Sequence, residues 1–207
     1  MNRRRIIPVQ SALAVLLAVL LIAPSLTHAA MERWEIDDSH FAVGFMVDHI
    51  GFARVLGMFL QAEGHFFFDP ESRELGGGQF VIHTASVFTN HEKRDEHLRG
   101  TDFLNVEEFP RMVFRPMRLE WGTDRDGRLL GELELLGVSR PVTLDFTLNK
   151  VGRYPFPLGG LLGGAPVLGM SLRGTIRRSD WGMDYGLDRA LVGDEIELLL
   201  EFEAQRR

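Results

Sequence analysis

The side chains best suited to chemistry lie in one charged stretch, residues 89–110, with the sequence TNHEKRDEHLRGTDFLNVEEFP. This stretch interrupts a chain that otherwise alternates like β-structure, and its spacing is typical of a short helix. Asn90 can cap the helix, and Glu92 then lies in the first turn, where a carboxylate is favoured. Gly100 can end it. We therefore predict a helical segment near residues 90–104.

The polar groups of this segment could form a metal site, an active site or a ligand contact. His91 and His97 are six residues apart, whereas two imidazoles on one helical face need a spacing of four, so a zincin site is excluded. Arg94, His97 and Leu98 do share one face. We predict a lid whose polar groups form exposed ion pairs, or meet the polar head of a ligand, or both. The residues predicted for this polar mouth are His49, Thr89, Asn90, Arg94, Asp95 and His97.

Metal binding must be weighed because the chain has seven histidines, six of them outside the first thirty residues. Four lie in or beside separate predicted strands and meet only if the fold brings them together: His40, His49, His65 and His83. The simpler interpretation is that they form hydrogen bonds near a barrel mouth or on the surface. We assign no metal and no cofactor.

The sequence offers no recognisable catalytic arrangement. Ser39 precedes His40, but no nucleophile elbow surrounds this serine, and adjacency in sequence does not make a triad. The glycine runs at 76–78 and 159–160 lack the strand–loop–helix setting of a phosphate loop. The chain contains no cysteine, which excludes thiol catalysis, iron–sulfur clusters and disulfides. We therefore predict a protein that is not an enzyme.

The N-terminus is typical of a cleaved signal peptide. Arginines at positions 3–5 precede an apolar run at 9–23 that is too short to span a bilayer comfortably. Small residues up to Ala29 suit a signal peptidase. We predict a signal peptide at residues 1–29, one domain at 30–207, and export to the periplasm.

The predicted mature chain is acidic. Removal of the leader deletes three arginines and no acids, which leaves 20 of the 23 Lys and Arg residues against 29 Asp and Glu, a net charge of −9. Such a chain should repel nucleic acid and anionic lipid headgroups. We predict no nucleic-acid partner and no stable membrane adhesion. A transient membrane contact and a homodimer are both compatible with the sequence.

Period-two alternation dominates the rest of the chain and predicts β-strands, one of them at 55–68. Eight or nine such segments, separated by Gly, Pro and Asp turns, predict an antiparallel barrel or sandwich. Phe outnumbers Tyr by 15 to 2, so the aromatic bulk carries few polar tips. Such an interior suits an apolar ligand and equally suits a plain hydrophobic core. The residues predicted to line it are Val43, Phe45, Val47, Phe66, Phe68, Phe80, Ile82, Phe114, Val142, Leu144, Phe146, Leu148, Ile196, Leu198 and Leu200.

Several groups of residues resemble, in order, the pattern of the YceI-like family. The most specific is the stretch 89–110, and RSDWGM at 178–183 resembles the family's R-S-D-F-G-M before the last strand. The resemblance covers about residues 31–203, and the glycine-rich loop at 152–166 departs from it. The other groups are Trp34 to Asp37 with His40; Phe45, Val47, His49, Gly51, Gly57 and Phe59; Gly64, Phe66, Phe68 and Asp69; Gly131 to Leu133; and Gly137 to Val142.

The resemblance implies an all-β fold, an eight-stranded antiparallel lipocalin-like barrel. It also implies a periplasmic protein that binds, stores or transports an isoprenoid lipid, such as a polyprenyl chain or an isoprenoid quinone, in an apolar cavity. Two alternatives remain open. One is a histidine-based protein that handles a metal or haem, and the other is a stress-protective barrel whose interior is filled.

Overall fold

Strands make up most of the chain. The computed structural model describes residues 31–155, 164 and 166–207. The predicted signal peptide, 1–29, and most of the loop at 152–166 lie outside these residues, so both remain predictions.

Ten strands and one α-helix lie in the described part of the chain. The strands are β1 (Glu32–His49), β2 (Ala53–Phe59), β3 (Ala62–Asp69), β4 (Glu74–His83), β5 (Val87–Phe88), β6 (Arg111–Trp121), β7 (Asp126–Leu135), β8 (Val138–Arg153), β9 (Pro166–Arg177) and β10 (Val192–Arg206). The helix is α1 (Glu92–Arg99), and 3₁₀ turns lie at Thr84–Ser86 and Arg178–Trp181. Within this described part, no helix has both the length and the apolar character needed to cross a membrane.

The strands close into a barrel with eight positions. The ring runs β1–β3–β4–β6–β7–β8–β9–β10 and closes where β10 pairs with β1. The short strands β2 and β5 add no further position to the ring. The strand β2 pairs with β1, as β3 does, and β5 pairs with β2. All pairs are antiparallel, which confirms the predicted eight-stranded barrel. The single strand predicted at 55–68 is in fact two strands, separated by a bend at residues 60–61.

The alternation in the sequence matches the two faces of the barrel wall. On β8, Leu144 and Phe146 point inward and are 3% and 2% exposed, while the residues between and beside them face solvent. The end of the barrel far from α1 is packed solid. There Trp34, Phe68 and Leu168 are no more than 1% exposed, and the Trp34 indole N–H donates to the Phe68 carbonyl at 3.1 Å.

The helix α1 is shorter than the predicted segment 90–104. His91, and not Asn90, is its N-cap, because its Nδ1 accepts a hydrogen bond from the Arg94 backbone N–H at 3.3 Å. Asn90 has a φ of 59° and forms the turn before the cap. Gly100 ends the helix, as predicted.

Candidate ligand cavity

The part of the barrel next to α1 encloses a cavity of about 160 Å³. All ten strands contribute to its wall, and α1 with the turn that follows it closes one end. Phe45, Ile196 and Leu198 point into the barrel and yet are only half-buried, because they border this empty space. The interior is therefore solid at one end and hollow at the other.

Eleven of the fifteen residues predicted to line the interior border the cavity. They are Val43, Phe45, Val47, Phe80, Ile82, Phe114, Val142, Leu144, Ile196, Leu198 and Leu200. Their common feature is an inward position in a strand near the α1 end of the barrel. That these residues hold a ligand remains a prediction.

The other four predicted lining residues lie in the packed end of the barrel, away from the cavity: Phe66, Phe68, Phe146 and Leu148. The Phe146 ring meets the Trp121 ring edge-on, with 4.8 Å between centroids. Phe66 stacks on Phe80 at 5.9 Å and is 4% exposed. All four side chains therefore belong to the packed core or lie against it.

The closed end of the cavity consists of residues that were not predicted to line the interior. They are Leu98 on α1, Phe103 and Leu104 in the next turn, and Arg178 and Met183 near β9. The sequence does indicate an inward position for Leu98, because it is the single apolar residue among the charged residues of α1. The others lie in turns, where alternation gives no information about direction.

The predicted polar mouth differs from the structure, because none of its six residues borders the cavity. Three of them bond to one another instead. The Asp95 carboxylate accepts hydrogen bonds from the Thr89 backbone N–H at 2.8 Å and from the Thr89 hydroxyl. Arg94 donates to the Thr89 hydroxyl and to the Thr89 carbonyl, each at 2.7 Å. These groups fasten α1 to the end of β5.

The remaining three predicted mouth residues, His49, Asn90 and His97, are exposed. His97 Nε2 lies 2.7 Å from Asp102 Oδ2. The His97 ring packs edge-on against Phe103, with 5.0 Å between centroids. Because Phe103 borders the cavity, His97 lies one layer behind the lining and supports it from outside.

Asp95 should contribute more to stability than any exposed charge of this segment. Replacing Asp95 by alanine leaves the buried Thr89 N–H without an acceptor, which should lower the free energy of unfolding by about 2 kcal/mol. Urea denaturation of Asp95→Ala beside Asp102→Ala tests this, because the pair between Asp102 and His97 is exposed and its loss should cost less than about 1 kcal/mol. Equal losses would show that the Thr89–Asp95 contact has no special weight.

A buried arginine, Arg178, lies at the end of the barrel that α1 closes. Arg178 is 1% exposed, and its guanidinium donates four hydrogen bonds to backbone carbonyls, those of Gly193, Met183, Tyr185 and Val192, at 2.6 to 2.9 Å. Burial lowers the pKa of Arg178, while the charges of Asp194 and Asp184 act against this shift. The N–H groups thus point at carbonyls, and the cavity receives no polar contact from them.

The other two charged residues of the wall also leave the interior apolar. The Glu63 and Glu201 side chains are 72% and 48% exposed, on the outer face of the barrel. The Arg173 guanidinium and the Ser171 hydroxyl donate to Glu201 there. The cavity can therefore solvate a hydrocarbon and has no group for a polar one.

Glycine at one inward position keeps a phenylalanine ring against the wall. A Cβ on Gly57 would lie 2.2 Å from Cζ of Phe45, so the ring occupies the space that a side chain at 57 would take. Phe45 and Gly57 face each other across β1 and β2. The ring lies flat over β2, which leaves the centre of the barrel open.

Gly57→Ala should reduce the capture of an apolar ligand without unfolding the protein. The added methyl group must displace the Phe45 ring into the cavity, because the ring tip is the part of this contact that can move. Uptake of squalene from detergent micelles measures the effect. Gly122→Ala is the matched control, since its Cβ would meet its nearest atom at an ordinary 3.6 Å. Full uptake by Gly57→Ala would contradict the displacement.

In the described part of the chain, no group of three or more potential metal ligands contains two histidines. Among the described residues, one group has the composition and closeness of metal ligands, namely Asp37, His40 and Glu203. His40 Nδ1 lies 3.1 Å from Asp37 and 3.9 Å from Glu203. The hydrogen bond with Asp37 raises the pKa of His40. Burial raises the pKa of Asp37, but hydrogen bonds from Ser39, His40 and Gln205 outweigh it and hold this pKa well below its usual range.

A closed antiparallel barrel of eight strand positions around an apolar cavity defines the lipocalin-like class of barrels. The sequence comparison agrees. The model of the YceI-like domain matches residues 34–204. A UPF0312 protein of Yersinia pestis is 32% identical over 191 residues, 92% of this chain and 94% of the relative. Another, from Yersinia enterocolitica, is 30% identical over 94% of this chain and 96% of the relative. The chain belongs to the YceI-like family.

Solved structures resemble the barrel over most of its length. A YceI protein of Campylobacter jejuni is 29% identical, with a TM-score of 0.65 over 77% of this chain and 90% of its own. BcnA of Burkholderia cenocepacia has a TM-score of 0.71 at 19% identity, over 82% of this chain and 99% of its own. A polyisoprenoid-binding domain from Saccharophagus degradans has a TM-score of 0.61 at 11% identity, over 86% and 99%. The last two likenesses show the fold.

Proposed function

We propose that this protein is a non-enzymatic carrier or store for an isoprenoid lipid in the periplasm. The observation that carries the proposal is the cavity, which is closed by ten strands and lined by hydrocarbon side chains. The description of the Saccharophagus degradans domain as polyisoprenoid-binding supports it. A branched, wholly apolar chain is the ligand class that such a lining can hold.

The energetics favour carriage over tight capture. Burial of an isoprenoid tail releases about 0.8 kcal/mol per CH₂ group relative to water. For a long tail this sum exceeds the roughly −18 to −21 kcal/mol at which non-covalent affinities saturate. The relevant competitor is the bilayer, which solvates the same tail as well as Phe and Leu do. Transfer from membrane to barrel is thus close to neutral, as reversible loading and unloading require.

The size of the cavity limits the length of tail that enters without rearrangement. Pockets that bury drug-sized ligands measure about 300–1,000 Å³, compared with about 160 Å³ here. A long polyisoprenoid therefore needs aromatic side chains to move. Phe80 and Phe202, with 5.6 Å between ring centroids, stand at the border between the cavity and the packed end. Their displacement would lengthen the cavity along the barrel axis.

The proposed location rests on the leader. Arginines at positions 3–5 and the apolar run at 9–23 form the pattern of an export signal. N-terminal sequencing of protein recovered from the periplasm should give a chain that starts at Ala30. Recovery of the intact chain from the cytoplasm alone would contradict the location.

The direct test of function is the ligand that the protein acquires in its own cell. Protein purified from the periplasm is analysed by native mass spectrometry and by solvent extraction, and an isoprenoid lipid should copurify. Metal analysis of the same sample tests the alternative that the protein handles a metal or haem. A barrel that is empty after purification and takes up no isoprenoid from micelles would favour the other alternative, a stress-protective barrel without ligand.

A further inference from the structure

The largest register shift in the wall of the barrel lies at the seam between β1 and β10. Ile36 pairs with Ala204, and the next regular pair is Phe41 with Phe202. The chain thus takes five steps on β1 against two on β10. Residues 37–40 of β1, which stand opposite the single residue Glu203 of β10, leave the ladder and bulge from the wall, as a β-bulge does at the rim of a barrel.

A cleft of about 520 Å³ with both polar and apolar residues in its lining lies beside this bulge, and we name it the seam cleft. It is bordered by Ser39 and His40 of β1, by Lys150, Arg153 and Tyr154 at the end of β8, and by Glu203 of β10. Four residues border both the seam cleft and the apolar cavity: Phe41, Ala42, Glu201 and Phe202. The two spaces are therefore neighbours, with the Phe41–Phe202 pair between them.

The seam cleft contains two polar groups with unused hydrogen-bonding capacity. His40 is held through Nδ1, which lies 3.1 Å from Asp37 and 3.0 Å from the Ser39 hydroxyl. Its Nε2 forms no hydrogen bond with any described residue, and the same is true of the Lys150 ammonium. Nε2 can donate to a carbonyl oxygen or accept from a hydroxyl group, depending on its proton. Both groups suit an oxygen atom of a ligand.

The charges around the seam cleft favour a neutral ligand group. Glu201 and Glu203 border it together with Lys150 and Arg153, two carboxylates and two cations. The Tyr154 hydroxyl also donates to Glu203. A diphosphate would meet carboxylates that are already present, whereas an alcohol or a quinone oxygen meets no net charge.

We propose that the seam cleft binds the neutral, oxygen-bearing head of an isoprenoid whose tail passes between Phe41 and Phe202 into the cavity. This inference rests on the proposed function. The proposed function requires a place for the polar head of the lipid. Inside the cavity, the head would lose its hydrogen bonds to water without replacement. The head therefore stays outside the apolar space, and the bulge is the adjoining polar surface.

The test compares three ligands that share an isoprenoid hydrocarbon: squalene without a head, geranylgeraniol with a neutral head, and geranylgeranyl diphosphate. Binding to the full mature protein is followed by tryptophan fluorescence. The double variant His40→Leu/Lys150→Met should weaken the binding of geranylgeraniol at least about tenfold, the worth of one hydrogen bond to a charged group. Squalene affinity should stay within about twofold. His83→Leu, an exposed histidine 3.9 Å from Glu63 on another part of the wall, is the control and should change neither ligand.

Each alternative result overturns a separate statement. If the wild-type protein binds none of the three ligands, the proposed function fails. If it binds squalene and geranylgeraniol, and the double variant weakens both or neither, the cavity stands and the head site is wrong. Tighter binding of the diphosphate than of the alcohol, with the same dependence on His40, overturns the neutral-head assignment. Stoichiometric zinc that is retained by the wild type and lost with His40→Leu shows a metal site instead.

Discussion

Leu198→Glu is expected to abolish the capture of squalene by a barrel that is still folded. Leu198 borders the cavity from the middle of β10 and is half-buried because it faces empty space. A carboxylate at this position stands in a cavity without polar partners, and an apolar ligand would have to bury it. The effective cost is several kcal/mol per ion, enough to lower affinity at least about a hundredfold. Uptake from micelles and circular dichroism of the same sample measure binding and folding.

The neighbouring residue provides the control for this experiment. Leu199 lies on the opposite face of β10, since successive side chains of a strand alternate, and it does not border the cavity. Leu199→Glu should therefore leave squalene uptake unchanged. Leu198→Trp gives an independent check if the glutamate variant fails to fold, because the indole fills the space without charge. Undiminished uptake by a folded Leu198→Trp protein would show that the ligand binds elsewhere.

An antiparallel barrel or sandwich could be predicted from the sequence because its strands alternate and its turns carry the expected residues, and the resemblance to the YceI-like family implied the eight-stranded barrel. The division of the interior into a packed end and a hollow end could not be predicted. Leu144 and Phe146 are two residues apart on β8 and both point inward, yet the first borders the cavity and the second packs against Trp121. Period-two alternation records only the face of a strand. The position along the barrel axis at which the interior becomes hollow depends on the size of side chains from other strands.

The segment at 89–110 shows the same limit for polar residues. Its charges and its short helix were predicted, but the purpose of the charges was not. The Asp95 carboxylate accepts a hydrogen bond from the Thr89 backbone N–H. A group that resembles a catalytic or ligand-binding acid therefore holds α1 in place. The contact depends on Asn90 and His91, which turn the chain before the helix. A left-handed residue before the cap cannot be recognised from the residue order alone.

The seam cleft could not be predicted for a related reason. His40 was considered for metal binding or for the surface, and nothing in its neighbours indicates that β1 leaves its ladder at residues 37–40. The register between β1 and β10 joins positions at opposite ends of the chain. Glu203 reaches His40 only because the last strand closes the barrel against the first. Such a pairing is a property of the closed ring and is absent from any local pattern.

Arg178→Leu should lower stability more than any other single change at the closed end of the cavity. The leucine matches the apolar surroundings but removes the donors for four backbone carbonyls, including those of Met183 and Val192. Each buried acceptor left unsatisfied costs about 1–3 kcal/mol. A loss of at least about 3 kcal/mol is therefore expected, seen as a lower urea midpoint with an unchanged slope.

Two further variants separate the hydrogen bonds of Arg178 from its charge. Arg178→Lys keeps the charge, but one ammonium with three donors cannot reach four carbonyls arranged around a planar guanidinium, so its stability should fall between wild type and Arg178→Leu. Arg177→Leu removes a neighbouring arginine that is 65% exposed and 3.9 Å from Asp180, and it should change the unfolding free energy by less than about 0.5 kcal/mol. If Arg178→Lys is as stable as wild type, the charge alone suffices. The hydrogen bonds to the four carbonyls would then not explain why an arginine is needed at the closed end of the cavity.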